Sequence, residues 1–440
     1  MRVHPSVLLG GALLSGCVTS LRPFNDDFSE ETPERALSLA VDRLSDVYSF
    51  TAWKGLDWPA IEAELSEELD ENSDPDTIFR KLAQSMPDGH VSIWNDDRDR
   101  NPCPEADGSL GFRVARTDED DLVVVHVDRG GSAAIAGVQP GDRFDGRAGS
   151  SAEDALAAAP LHCSPLGLAT VDRQEAVAGV LVGRGPLGAS VDVQIGGQAL
   201  VLEAVDREGA WRHQLGLQAA NERLSARMVG DGIGVLAIGW EDTVLSEEGF
   251  RRRLKGLWRQ GARRLVLDLR DNDGGTDQTA ANIVGTFTDR SWFYETITMY
   301  DRRTERQAEV SEVWVEPQEL RWDLPVVVLV NGNTVSSGEG MAMMLARFPD
   351  VEVVGLEGTA ASFGSAGSSM KLPGGWTMSY PAGRSLDRRG RIQLDSDASL
   401  TGGVQPTLPV PRSVDNLVAD AQDPDNHLIE LAIELGLGGR

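Results

Sequence analysis

Arg264-Leu-Val-Leu-Asp268-Leu-Arg270-Asp-Asn272-Asp-Gly274-Gly275 is an apolar run that ends on a glycine pair and leads into a helical pattern around Thr279–Phe287. A second unit of the same design follows: Pro325-Val-Val-Val-Leu-Val330-Asn331-Gly-Asn-Thr334-Val-Ser336-Ser337-Gly338-Glu339, leading into a helical pattern over Met341–Arg347. A run that is apolar at every position, rather than at alternate ones, predicts a strand buried on both faces. Strand followed by amphipathic helix, twice, predicts an α/β domain that spans residues 210–440 and closes with a helix from His427 to Leu437.

The second unit places a serine between a buried strand and the start of a helix. There a hydroxyl projects from a tight elbow beside free backbone N–H groups and a positive dipole end. Ser336 holds that position, and the Ser337 amide follows it as a donor to an oxyanion. Gly274 and Gly275 end the first strand, where absent side chains let the backbone approach a substrate carbonyl and supply the second donor. Taken alone, Ser336 reads equally well as a helix N-cap.

Working outward, residues 33–100 carry apolar positions at helical spacing, first Ala36, Leu37, Leu39, Ala40, Leu44 and Val47, then Ile61 to Leu69 and Thr77 to Met86. This N-terminal helical domain ends at Pro87-Asp88-Gly89-His90, a turn that leaves His90 ahead of an extended Val91-Ser92-Ile93-Trp94. Residues 105–206 change to short β runs such as Leu122–Val127 and Ala189–Ile195 between glycine-rich turns, a small β domain. The predicted fold class is multidomain α+β.

Residues 1–17 combine a basic start with an apolar stretch too short to span a bilayer, which reads as a signal peptide. Its end, Leu14-Ser15-Gly16-Cys17, resembles a bacterial lipobox, and implies lipid on Cys17 and a membrane partner at the cell envelope, the outer membrane since Val18 and Thr19 are not acidic. Residues 18–32 are polar and aperiodic, a linker between lipid and body. Export places Cys103 and Cys163 in an oxidising compartment, where a disulfide between them is expected. The 440 residues carry a formal charge of −28 and their basic residues are scattered, which argues against a nucleic-acid partner, since such a site requires a basic stripe. The six histidines show no ligand spacing, so no metal is expected, and no cofactor either.

The order of these motifs resembles the C-terminal processing serine peptidases over about residues 35–412. Asp268 to Gly275 is close to that family's hallmark string, and Thr334 to Glu339 looks like its nucleophile motif with Ser336 as nucleophile. The resemblance implies a crotonase-like α/β catalytic domain and protein or peptide substrates. Ser109-Leu110-Gly111-Phe112, followed by Gly131 to Asp142, resembles a PDZ domain, with Leu110, Gly111 and Phe112 as the loop that would cap a substrate's C-terminal carboxylate. One branch of the family draws its base from a lysine, whose place here holds Ser365, with Lys371 too far along. The tricorn-like branch uses a histidine in an Asp-x-His turn, and Asp88-Gly89-His90 matches it, making His90 the general base. The acidic partner of His90 is expected at Asp397, with Asp395 the alternative, ahead of Gly403-Val404-Gln405-Pro406, Leu400 and Thr401 standing where that branch carries its carboxylate. Two other readings stay open: a catalytically silent scaffold that binds protein tails, and a crotonase-like acyl-CoA enzyme, which export and the PDZ-like string oppose.

Overall fold

In the computed structural model, residues 23–70, 74–95, 103–206, 224–230, 232–241, 244–364, 367–424 and 426–438 are described. Residues 1–22, with Cys17 and the signal peptide expected there, lie outside them, as does Ser365.

The chain enters on strand β1 (Asn25–Asp27) and four helices, α1 (Pro33–Val47), α2 (Thr51–Lys54), α3 (Trp58–Asp70) and α4 (Pro75–Gln84). Thr32 caps α1 by accepting from the Arg35 amide, Pro33 opens it, and Ala36, Leu37, Ala40, Val41, Leu44 and Val47 are buried along one face. Strand β2 (Ser92–Asn95) follows the Pro87–His90 turn.

In the β domain, β3 (Phe112–Arg116) pairs antiparallel with β4 (Leu122–Val127). Beyond them come β5 (Phe144–Arg147), helix α5 (Val171–Leu181) and the hairpin of β6 (Ser190–Ile195) with β7 (Gln198–Glu203). Cys103 and Cys163 form a disulfide with Cα atoms 5.4 Å apart, buried against Leu168, Val177 and Leu181.

The remaining strands in chain order are β8 (Leu224–Met228), β9 (Ile233–Ile238), β10 (Arg264–Asp268), β11 (Trp292–Asp301), β12 (Arg306–Val315), β13 (Val326–Leu329), β14 (Val351–Gly355), β15 (Ser368–Leu372), β16 (Trp376–Tyr380), β17 (Gly383–Leu386) and β18 (Leu408–Pro409). Helices α6 (Val244–Arg259), α7 (Asp277–Val284), α8 (Ser337–Leu345), α9 (Val414–Gln422) and α10 (His427–Ala432) connect or follow them. The central sheet has the order β8-β9-β10-β13-β14-β18, parallel except for β8. Both faces are covered, as the all-apolar runs require. Leu265, Leu267, Val326 and Val328 pack toward α6, α7 and α8, while Val266, Val327 and Leu329 meet Leu428 and Ile429 of α10. The glycine pair and the Ser336 turn therefore emerge side by side at the carboxyl ends of β10 and β13, where ligands bind in open parallel sheets.

Two expectations about the N-terminal region need correction. The linker does not extend to residue 32: Asn25–Asp27 pair in parallel with Ser369–Lys371, and Phe24 is buried against Tyr300. Polar residues read as solvated chain, yet strand pairing uses only backbone groups. Nor do residues 33–100 stand alone, because the sheet order β1-β15-β16-β2 interleaves them with residues 368–380, and Leu37, Leu44 and Phe79 share one core with Met370, Trp376 and Met378.

Closing 60 residues with one disulfide restricts the unfolded chain, and losing it is expected to cost about 2–4 kcal/mol. The Cys103→Ser, Cys163→Ser double variant is expected to show a lower thermal midpoint than the parent by differential scanning calorimetry, and the same midpoint would argue against a stabilising link.

Candidate active site

Ser336 adopts φ 59°, ψ −132°, a left-handed conformation that costs a serine about 1–3 kcal/mol and persists only where its surroundings enforce it. Its amide donates to the Ser362 carbonyl (3.0 Å), and the Val335 amide donates to the Asn272 carbonyl (2.9 Å). Its side chain makes no capping hydrogen bond to α8, so the N-cap reading does not describe it. Gly274, at φ 80°, lies directly against it: a Cβ there would sit 2.6 Å from the Ser336 Cβ.

Asn272 organises both turns. Its Nδ2 donates to the Ile238 carbonyl (2.8 Å) and to Glu241 Oε2 (2.9 Å), and its Oδ1 accepts from the Gly274 amide (2.7 Å). The Ser337 hydroxyl donates to Glu241 Oε1 (3.0 Å). The Gly274 amide is thus already committed, which corrects its assignment as an oxyanion donor; what this residue supplies is close approach. The Ser337 and Gly275 amides have no acceptor among the described residues.

His90 reaches this neighbourhood through Ser362. The Ser362 hydroxyl accepts from the Gly89 amide (2.6 Å), while its carbonyl holds Ser336. Among the described residues Ser336 and His90 share no direct hydrogen bond, and such contacts in unliganded sites commonly tighten only with substrate. The His90 amide donates to Asp88 Oδ1 (2.9 Å), and Asp88 Oδ2 accepts from the Tyr48 hydroxyl (2.8 Å). Burial holds the imidazole below its ordinary 6.5; Asp88 works against that shift and Lys54 adds to it.

Asp397 does not join this cluster. It sits at the surface and accepts from the Ser399 amide (2.8 Å) and hydroxyl (2.6 Å), which hold it below the usual carboxylate range. It shapes a turn, as aspartates in such loops do. Asp395 is buried, with Oδ1 accepting from the Phe363 (3.0 Å) and Gly364 (3.2 Å) amides, and burial pushes it well above its ordinary value. The carboxylate bonded to the His90 turn is Asp88, inside the tripeptide that identified the histidine.

The loop of Leu110, Gly111 and Phe112 also departs from expectation. Leu110 and Phe112 are fully buried, the Leu110 amide donates to the Gly183 carbonyl (2.9 Å), and the Gly111 amide donates to the Ser109 hydroxyl (3.1 Å). Helix α5 packs its backbone onto β3 at Gly179, where any Cβ would strike the Val114 carbonyl, and Gly183 meets the Phe112 carbonyl in the same way. A tail could not add a strand between β3 and α5, and those two amides are not open to a carboxylate.

Residues 233–410 match Peptidase family S41. The chain is 23% identical over 301 residues to the carboxy-terminal processing protease CtpA of Bacillus subtilis (strain 168), covering 67% of this chain and 56% of that protein. It therefore spans about half the length of the curated relative it matches. Its fold resembles that of mature CPAF, with a TM-score of 0.66 at 14% identity over 92% of this chain and 98% of that one. The same protein complexed with lactacystin gives 0.62 at 14% identity, over 92% and 99%. The likeness to CPAF supports a mixed α/β multidomain structure, and the S41 match falls on the part of it that carries the glycine pair and Ser336.

Sequence reading passed over several buried polar residues of this site. Glu339 accepts from the Ala361 and Ser362 amides (2.8 Å each) and from the Thr359 hydroxyl, so it fixes the loop that touches both Ser336 and Gly89. Glu339 closes the nucleophile motif, but Glu241 and Ser362 stand in no motif. Burial pushes both Glu241 and Glu339 up to about 7.

Two expectations follow from these contacts. Gly274→Ala would drive a Cβ into Ser336 and is expected to lower fluorophosphonate labelling of Ser336 by about 100-fold or more; labelling at the parent rate would show that this contact yields freely. The two raised carboxyls bind protons in the folded state that they release when unfolded, from their ordinary 4.5 up to about 7. Stability is therefore lost as pH rises through that window. Urea midpoints at pH 5 and pH 8 are expected to differ less for Glu241→Gln than for the parent.

Proposed function

We propose that this chain is a serine endopeptidase that cleaves peptide bonds in unfolded protein substrates. In this reading the Ser336 hydroxyl attacks the carbonyl carbon, His90 takes its proton, and the developing oxyanion is held by the Ser337 and Gly275 amides. His90 then gives the proton to the leaving amine, and water attacks the acyl-enzyme with His90 again as base. The observation that carries the reading is Ser336 itself, held in a left-handed turn at the end of β13 against Gly274, with the following Ser337 amide and the Gly275 amide lacking an acceptor among the described residues.

The PDZ-like likeness of residues 105–206 and the crotonase-like likeness of residues 210–440 belong to this proposal. The β domain then acts by placing the His90 turn, since the Gly167 amide donates to the Val91 carbonyl (2.8 Å) and the Ile93 amide to the Pro165 carbonyl (3.0 Å). The proposed setting is the cell envelope, with the chain tethered to a membrane by lipid on Cys17. No helix among the described residues is long and apolar enough to cross a membrane.

The test compares protein lacking residues 1–17 with its Ser336→Ala and His90→Ala variants, following cleavage of a denatured protein pool and fluorophosphonate labelling. Both variants are expected to lose cleavage, and Ser336→Ala to lose labelling. Because burial keeps His90 below 6.5, it stays an unprotonated base under mildly acidic conditions, and the acidic limb of kcat/KM is expected below pH 6.5. A parent protein that neither cleaves nor labels from about pH 6 to 9 would return the chain to the silent-scaffold reading.

A further inference from the structure

Lys54 ends helix α2, and only 5% of its surface is exposed. All three of its ammonium hydrogens are engaged: Nζ donates to the Pro87 carbonyl (2.8 Å), the Ser396 carbonyl (2.9 Å) and the Ser396 hydroxyl (2.8 Å). Pro87 immediately precedes Asp88-Gly89-His90. Ser396 follows Asp395 and donates its own amide to the Ala361 carbonyl (3.1 Å), while Asp395 grips the Phe363 and Gly364 amides. Between them lies Ser362, bonded to Ser336 on one side and to Gly89 on the other. One buried ammonium therefore ties the His90 turn to the same loop that holds Ser336.

The charges make the same point. Asp88 and Asp395 are both buried, and Lys54 is the cation that acts on both His90 and Asp395. The groups facing the His90 turn are Asp88 from the turn itself, Tyr48 from the end of α1 and Lys54 from α2; Asp395, on the loop that precedes β18, acts on Asp88 and Lys54. Taking the cation out of this buried cluster would leave its acidic groups without a compensating charge, which is costly in a buried site.

We propose that Lys54 is a positioning residue for catalysis, locking the His90 turn onto the Ser362 loop through its three hydrogen bonds and placing a buried cation beside the base. The proposal rests on His90 acting as base to Ser336. Lys54→Met removes the hydrogen bonds and the charge, whereas Lys54→Arg keeps the charge. The neighbouring cation disfavours the imidazolium, so its removal raises the pH at which His90 gives up its proton.

The experiment measures the pH profile of kcat/KM on a denatured protein substrate, with fluorophosphonate labelling and thermal midpoints, for the parent, Lys54→Met, Lys54→Arg and His90→Ala. Lys54→Met is expected to lose about tenfold or more in kcat/KM and to move the acidic limb upward by about half a pH unit or more, and Lys54→Arg to return the limb toward the parent position. Equal losses in both variants with an unmoved limb would mean a purely structural role and overturn the proposal. Should Lys54→Met fold poorly, the Lys54→Met, Asp395→Asn double variant is expected to recover thermal stability, since it removes one of the acidic groups left without a compensating charge; no recovery would also overturn it. A His90→Ala variant that cleaves and labels like the parent sinks the base assignment, and Lys54's role with it. A silent His90→Ala beside an unmoved Lys54→Met limb sinks only the role of Lys54.

Discussion

A serine at φ 59° and ψ −132° must be held there, and much of the surrounding structure serves that end. The Ser336 amide is pinned by the Ser362 carbonyl and the Val335 amide by the Asn272 carbonyl, so the strained turn is fixed from two sides by different chain segments. This arrangement demands bare backbone nearby. Gly274 must lack a Cβ because Ser336 occupies the space, and Gly338 must lack one because the Asn272 side chain does. Asn272 is fully buried and spends both amide hydrogens and its carbonyl oxygen within the site, which makes it a rigid anchor.

Three parts of the chain converge on one turn. Residues 23–95 do not form a detachable unit, because β1 and β2 flank β15 and β16 and share their core. The β domain closes on the same region through Gly167, where any side chain would strike the Asp88 carbonyl. His90 is therefore set in place by the assembly of the three parts. Such an arrangement makes domain packing a condition for placing this histidine, and it accounts for a β domain whose own groove is filled by α5.

The electrostatics of surface and interior differ in kind. The charge of −28 is carried largely by solvated side chains and concerns solubility and encounter with substrates. The carboxyls around the site, Asp88, Glu241, Glu339 and Asp395, are buried and bonded to amides, hydroxyls or a side-chain amide. They act as scaffolding acceptors that orient backbone loops, and burial raises Glu241, Glu339 and Asp395 well above ordinary carboxylates.

What the chain alone determined was local and periodic. Runs such as Leu265–Leu267 and Val326–Leu329 are apolar at every position and could only be strands covered on both faces, and the glycines and serines at their ends marked where chemistry would sit. Tertiary structure alone decided which side chains meet across long separations. Asp397 and Asp395 stand two residues apart in similar company, yet one turns a surface loop and the other is sealed under Phe363 and Gly364. The Ser109–Phe112 string looks like an open carboxylate loop until α5 packs its backbone onto β3. Lys54, Glu241 and Ser362 carry no motif, because their importance comes from partners hundreds of residues away or on other elements. Periodicity records which face of an element is buried, while the pairing of polar groups is set by how the faces are brought together.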